Sequence, residues 1–115
     1  MTITRKSSTQ RVSKAVIYNG VVYLSGQVAE DVSDDIVGQS KSTLARVDHF
    51  LAEAGTDKSR LLSALIHIKD NQDVPVFNEI WNDWLPAGCA PARTCVQATM
   101  VRDVVLVEVT VVAAL

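Results

Sequence analysis

Two charged residues near the end of the chain lie inside apolar segments, and their types and spacing could do chemistry. Arg93 follows Pro91 at the entry to an alternating, strand-like segment, and Glu108 is the only charge in the run from 104 to 113. Burying an acid in such a β-branched run is costly unless a cation or a hydrogen-bond donor faces it. We therefore expect Arg93 to face Glu108.

A guanidinium and a carboxylate at one site are suited to a small acidic substrate. The planar fork of Arg93 can hold a carboxylate through two parallel hydrogen bonds. Glu108 could then deprotonate a water molecule or pass a proton to a leaving nitrogen. These groups suit a hydrolytic step on a small substrate that carries a carboxylate. The sequence has no phosphate-binding glycine loop, Ser-His-acid order or HExxH motif that would form a rival set.

Strands that could carry such groups are predicted in both halves of the chain. Asn19-Gly20 predicts a tight turn between strands over 15–18 and 21–25, and residues 2–6 could form a short edge strand. Alternation over 61–69 predicts a further strand that is half covered by a helix. The apolar face of that strand is expected to contain Leu62, Ala64, Ile66 and Ile68.

Two amphipathic helices are predicted between these strands. Residues 33–35 supply capping groups for a helix of about five turns, and Gly55 fits the position just after its end. The second helix follows the polar turn at 70–73, with Pro75 in its first turn, where no N–H is needed. Its apolar face is expected to comprise Phe77, Ile80, Trp81, Trp84 and Leu85.

The last two strands complete an α+β domain that spans residues 1–115. We predict strands over 92–101 and 104–113, joined at Arg102-Asp103 as an antiparallel pair. The expected architecture is a mixed, mostly antiparallel sheet with two helices packed on one face.

The final strand is apolar on both of its faces. One face is expected to comprise Val105, Val107, Val109 and Val111, and the other Val104, Leu106 and Val112. Helices can cover only one side of the sheet, so the simplest cover for the other is a second subunit.

Composition excludes several classes of protein. A chain of 115 residues with 48% hydrophobic and 21% charged residues is typical of one globular domain. A net charge of −2 and scattered basic residues argue against nucleic acid as the main partner.

The N-terminus lacks the apolar core of a signal peptide and no run could span a membrane, so we expect a cytoplasmic protein. Cys89, Cys95, His49 and His67 form neither a disulfide framework nor a metal motif.

Four segments in order resemble the RidA/YjgF family of enamine and imine deaminases. They are the Ser25-Gly26-Gln27 strand end, the helical segment Phe77-Asn78-Glu79-Ile80-Trp81, the Pro91-Ala92-Arg93 entry with Cys95, and the ungapped step to Glu108 in a Val-Glu-Val strand. Each motif alone is common, but the match in family order covers nearly the whole chain.

The resemblance implies a chorismate-mutase-like fold and a homotrimer whose sheets close a central barrel, with sites between subunits. It implies Arg93 and Glu108 as catalytic residues. Ser25, Gly26, Asn78 and Cys95 are then the substrate-binding residues. The implied reaction converts 2-aminoacrylate or another 2-imino acid to a 2-oxo acid and ammonia, without a metal or an organic cofactor.

One departure from the family leaves alternatives open. Val12 occupies the position where many deaminating members have Tyr, so this chain could belong to a divergent branch. One alternative is a non-catalytic trimer that binds a 2-oxo acid and acts as a regulator or in a chaperone-like role. Another is that Arg93 and Glu108 form a structural ion pair at a subunit interface.

Overall fold

One mixed sheet organises the chain, and the computed structural model describes all of residues 1–115. Its strand order is β1-β2-β3-β6-β4-β5, and every neighbouring pair is antiparallel except β4 with β5. This confirms the predicted α+β class with a mixed, mostly antiparallel sheet. The strands are β1 (Thr4–Ser8), β2 (Ser13–Tyr18), β3 (Val21–Leu24), β4 (Leu61–Ile68), β5 (Ala92–Gln97) and β6 (Val107–Ala114), and the helices are α1 (Ile36–Ala54) and α2 (Val74–Trp84).

Local signals in the sequence form the predicted turn and caps. Asn19 and Gly20 both have positive φ, at 53° and 76°, which suits the tight hairpin between β2 and β3. The Asp35 side chain accepts a hydrogen bond from the Gly38 N–H at 2.9 Å and so caps α1. Gly55, with φ of 93°, ends the helix in the left-handed region. These elements confirm the predictions for the hairpin and the first helix.

The core lies between the helices and one face of the sheet. Leu44, Val47 and Leu51 of α1 and Phe77 and Trp81 of α2 are buried against it. Alternate residues of β6 complete this layer, because they face the helices and are fully buried. Neither helix combines the length and apolar character needed to cross a bilayer.

The prediction for the last two strands is wrong about their pairing. Their directions are opposite, as expected, but β4 lies between β5 and β6, and β5 forms a parallel edge strand beside β4. The helix α2 connects β4 to β5, and a helical crossover of this kind places the second strand parallel to the first. The chain then crosses the end of β4 through residues 98–106, so neither predicted strand extends to Arg102-Asp103.

A register shift in β4 corrects a second prediction. The ladder between β4 and β6 is irregular between Leu61 and Ser63, so Leu61 is buried and Leu62 is 49% exposed. A bulge of this kind moves one residue to the other face of the strand. Ala64, Ile66 and Ile68 lie on the helix-covered face as expected.

The second face of the sheet has no cover within the chain. Tyr23, Leu65 and Val96 are exposed there, while Val104 and Leu106 precede β6 rather than belonging to it. The polar or half-exposed members of β6 on this face are Glu108, Thr110, Val112 and Ala114. We call this side the open face; its cover by other subunits in a trimer stays a prediction.

Candidate active site

The two residues expected to act together lie on opposite faces of the sheet. Arg93 pairs across the ladder with Ala64, which in turn pairs with the buried Val111 on the helix-covered face. Glu108 pairs with His67 on the open face. Directly paired residues point to the same side of a sheet, so Arg93 and Glu108 point to different sides. The expected contact between them is not formed within the chain.

Arg93 is held at the sheet edge by the second helix. Its guanidinium carbon lies 5.2 Å from the ring centroid of Trp81 and 5.8 Å from that of Phe77. Its Nη2 donates a hydrogen bond to Asn78 Oδ1 at 2.5 Å. All three partners of the guanidinium belong to α2: Phe77 and Asn78 lie on one turn of the helix, and Trp81 lies on the next. We call Arg93, Asn78 and Cys95 the arginine half-site.

The guanidinium of Arg93 makes no ion pair within the chain. Its hydrogen-bond partner is a neutral amide and its packing partners are aromatic rings, which attract a cation through their π-faces. The positive charge is therefore positioned without being neutralised. Such a fork is ready to bind a carboxylate.

Cys95 shares the face of Arg93, as the alternation predicted. It pairs with Ile66, packs against the core and remains a free, half-buried thiol. His67 points to the opposite face, since its partner across the ladder is Val96 rather than Cys95. This arrangement leaves the thiol without an imidazole base and suits it to lining a pocket.

Glu108 lies over Gly26, where a side chain would not fit. A Cβ on Gly26 would lie 2.8 Å from Cδ and 2.9 Å from Oε2 of Glu108, and 3.0 Å from Oγ1 of Thr110. Two backbone hydrogen bonds between Gln27 and Val109, at 2.9 and 3.0 Å, fix this close approach. We call Gly26, His67 and Glu108 the glutamate half-site.

His67 is a neighbour of Glu108 that sequence reasoning missed. Its Nδ1 lies 3.8 Å from Glu108 Oε1, and this nitrogen is buried without a hydrogen-bond partner. In the sequence His67 forms no motif with His49, Cys89 or Cys95, so no functional role is predicted for it. Only the register between β4 and β6 brings the two side chains together.

A cavity of about 590 Å³ opens beside the glutamate half-site. It has the size of a small-molecule site and a mixed polar and apolar lining. Residues 98–102, which connect β5 to β6, form one wall and add Arg102, while Gly26, His67, Val105 and Glu108 form the rest together with Val28. No group of three or more His, Cys, Asp or Glu side chains is placed to hold a metal ion.

Ser25 is fixed beside the glutamate half-site but turned away from it. The Gln27 side chain donates from Nε2 to the carbonyl of Ser25 at 3.0 Å and to its Oγ at 3.2 Å. Gln27 is buried and pairs with Val109 on the helix-covered side. The Ser25 hydroxyl accepts this bond, which leaves its own proton free to be donated.

The buried Gln39 anchors the connection that leads into β6. Its Nε2 donates to the carbonyls of Val32, Asp34 and Val104 at 3.0 to 3.1 Å, and its Oε1 accepts from the Leu106 N–H at 2.9 Å. Sequence reasoning missed this role, because a polar residue in a helix usually faces solvent.

Val12 lies in the turn between β1 and β2 and places no polar group near the half-sites. Its carbonyl accepts from the Thr9 N–H at 2.7 Å and its side chain is 42% exposed. The departure at this position therefore puts an apolar side chain where many family members have a hydroxyl.

Comparisons with known proteins agree on one family. A family model described as Endoribonuclease L-PSP matches residues 2–115. The chain is 39% identical to the RutC family protein YoaB of Escherichia coli K12, over 99% of both chains, and 30% identical to the 3-aminoacrylate deaminase RutC of Acinetobacter baylyi, over 83% of this chain and 79% of that one. The crystal structure of NMB1025 from Neisseria meningitidis, a member of the YjgF family, superposes with a TM-score of 0.95 at 38% identity, covering 99% of this chain and 95% of that chain.

Proposed function

The chain belongs to the RidA/YjgF family, and from this membership we propose that it hydrolyses enamines or imines of small 2-amino acids to 2-oxo acids and ammonia. The named activity of the RutC relative, 3-aminoacrylate deaminase, supports a substrate that combines an enamine with a carboxylate. We propose Arg93 and Glu108 as the catalytic residues, with Ser25, Gly26, Asn78 and Cys95 in substrate binding.

The observation that carries the proposal is the unpaired guanidinium of Arg93. Two aromatic rings and the Asn78 amide hold it in place, and no carboxylate neutralises it within the chain. A preorganised, uncompensated fork at a sheet edge is more useful for binding an anion than for stabilising the fold.

The two half-sites are proposed to meet between subunits. They face opposite sides of one sheet, so a ligand cannot reach both within a single chain. In a homotrimer, the edge strand β5 of one subunit would place Arg93 beside the cavity that contains Glu108 of the next. The exposed apolar side chains of the open face supply a reason for the subunits to associate.

The reaction requires a carboxylate anchor and one acid–base group. Arg93 binds the substrate carboxylate and thereby fixes the imine carbon. A water molecule adds its oxygen to that carbon while Glu108 accepts its proton and passes it to the nitrogen. The hydroxyl proton of the resulting carbinolamine then moves through Glu108 to the same nitrogen. The C–N bond breaks, ammonia leaves and the oxygen of water remains as the 2-oxo group.

The separation of the half-sites also favours a second candidate function. The guanidinium of Arg93, held by Asn78 and beside Cys95 on one strand face, is available to a carboxylate without any contact to Glu108. A trimer that binds a 2-oxo acid without catalysis would use this half alone. Wild-type protein that binds 2-oxobutanoate but leaves 2-aminoacrylate and other imino acids at their background rate would establish this alternative.

Subunit complementation tests the composite site. The variants Arg93→Ala and Glu108→Gln each inactivate every site in their own trimer. If the halves come from neighbouring subunits, a co-assembled 1:1 mixture regains about a quarter of wild-type activity, because about one site in four receives both intact residues.

If both residues act from one chain, the mixture stays inactive, and this result would contradict the composite site. The control is the same mixture made from trimers that were purified separately and not allowed to exchange. Light scattering on each sample checks the assembly, and a monomer at micromolar concentration would also contradict the proposal.

A further inference from the structure

We propose that His67 is a positioning residue for Glu108, and that it donates a hydrogen bond from Nδ1 to Oε1 in the working site. The catalytic consequence rests on the proposed function, whereas the hydrogen bond can be tested without it.

The first observation is the register of the sheet. His67 of β4 and Glu108 of β6 are direct partners across an antiparallel ladder, so their side chains leave the sheet side by side on the open face. Nδ1 and Oε1 are 3.8 Å apart, which is longer than a hydrogen bond. A small rotation of either side chain closes this gap, because both are only partly covered, at 31% and 37% exposure.

The second observation is the environment of the imidazole. Nδ1 is buried and has no hydrogen-bond partner, which is unfavourable for a polar atom. On its other side β4 pairs with β5, which presents Val96 to His67, and the connection after β5 contributes Arg102 to the same cavity. Arg102 is a donor only and cannot accept a hydrogen bond from an Nδ1–H. The carboxylate of Glu108, 3.8 Å away, is the charged acceptor closest to this nitrogen.

The third observation concerns the side of the Glu108 carboxylate that faces Gly26. Gly26 lies against Cδ and Oε2 of Glu108, so the backbone limits how far the carboxylate can turn in that direction. A hydrogen bond from His67 to Oε1 would restrict the remaining rotation of the Glu108 carboxylate. Oε2 would then stay beside Gly26 with its lone pairs available to a water molecule, and the carboxylate would be oriented before substrate arrives.

The tautomer of His67 provides a direct test. A hydrogen bond to Oε1 requires the proton on Nδ1, and the partner of a histidine nitrogen determines which tautomer is present. We expect the nitrogen NMR spectrum of the labelled imidazole in the wild-type trimer to show the Nδ1–H form, and the Glu108→Ala variant to show the Nε2–H form. An Nε2–H tautomer in wild type, or no change in the variant, would overturn the proposal. This measurement is valid even if the protein hydrolyses no imine.

Three substitutions test the catalytic consequence. The Asn amide nitrogen occupies the place of Nδ1, the Gln amide nitrogen reaches the place of Nε2, and Phe keeps the shape of the ring without a donor. We expect His67→Asn to retain kcat within about threefold, and His67→Gln and His67→Phe to lower it about tenfold at unchanged KM.

A purely structural role predicts a different order. Phe would then be the best replacement, since it preserves packing, and losses of activity would follow losses of melting temperature. That order would overturn the proposal, as would equal kcat for all three variants. A wild type without hydrolysis would overturn the proposed function, and the tautomer would still decide whether His67 bonds Glu108.

Discussion

The arginine and glutamate half-sites hold a charged group in an apolar sheet by different means. Arg93 lies at an edge strand, stacked on two aromatic rings and bonded to the Asn78 amide. Glu108 lies in an interior strand, over a glycine and beside a histidine. Each charge is supported by groups that do not cancel it within the chain. Two opposite charges in one sheet therefore need not compensate each other within the chain.

The largest loss of activity is expected from a change at Glu108. We expect Glu108→Gln to lower imine hydrolysis by about 10²-fold or more, because the amide cannot accept the proton of water. Binding of 2-oxobutanoate, measured by calorimetry, should stay close to wild type, since the carboxylate anchor belongs to the other half-site. The melting temperature should change little, because the side chain is partly exposed and has no cationic Lys or Arg partner in the chain.

A sharp fall in the melting temperature of the Glu108→Gln trimer would instead support the structural ion pair between subunits. Undiminished hydrolysis would remove Glu108 from the mechanism. Ser25 or Cys95, acting through a bound water molecule, would then be the next groups to examine.

The second test weakens the arginine half-site. Arg93→Lys should cost about 1.5 to 3 kcal/mol of carboxylate binding, because a point charge cannot reproduce the two parallel hydrogen bonds of the fork. This loss corresponds to roughly a tenfold to hundredfold rise in the Kd for 2-oxobutanoate. Arg102→Lys is the matched control, since Arg102 lines the cavity of the glutamate half-site. A larger effect at Arg102 than at Arg93 would show that the carboxylate anchor lies in the glutamate half-site.

A third, smaller effect is expected at the glycine beneath Glu108. Gly26→Ala introduces a Cβ that would lie 2.8 Å from the carboxylate carbon, so the carboxylate must move. We expect kcat to fall about tenfold with little change in the affinity for 2-oxobutanoate. Ser25→Ala is the adjacent comparison, because it removes a proposed substrate-binding hydroxyl without crowding the Glu108 carboxylate. If kcat falls more in Ser25→Ala than in Gly26→Ala, close packing at Gly26 does not limit catalysis.

The smallest effect is expected at Cys95, which lines the arginine half-site without an adjacent base. Cys95→Ala should retain kcat within about threefold, because the thiol is not required for proton transfer. The expected change in 2-oxobutanoate affinity is similarly small. A loss of 10²-fold or more, at an unchanged melting temperature, would identify the thiol as a nucleophile and contradict the water mechanism.

The sequence alone determined the features that depend on neighbours along the chain. Asn19-Gly20 specified the hairpin, Asp35 and Gly55 specified the ends of the first helix, and alternation specified that Cys95 shares a face with Arg93. Family order and spacing also identified Arg93 and Glu108 as residues of interest. The predictions for the hairpin, the helix ends and the face of Cys95 succeeded because turn conformation, capping and side-chain direction follow from local backbone geometry. The roles of Arg93 and Glu108 stay predictions.

Tertiary structure alone decided which residues lie across from each other. The position of β4 between β5 and β6 separated Arg93 from Glu108, and the register with β6 brought His67 to the carboxylate. The bulge at Leu62 and the anchoring of the β6 connection by Gln39 were equally invisible in the sequence. Strand order and register depend on packing between segments that are distant in the chain. Local sequence patterns do not specify that packing.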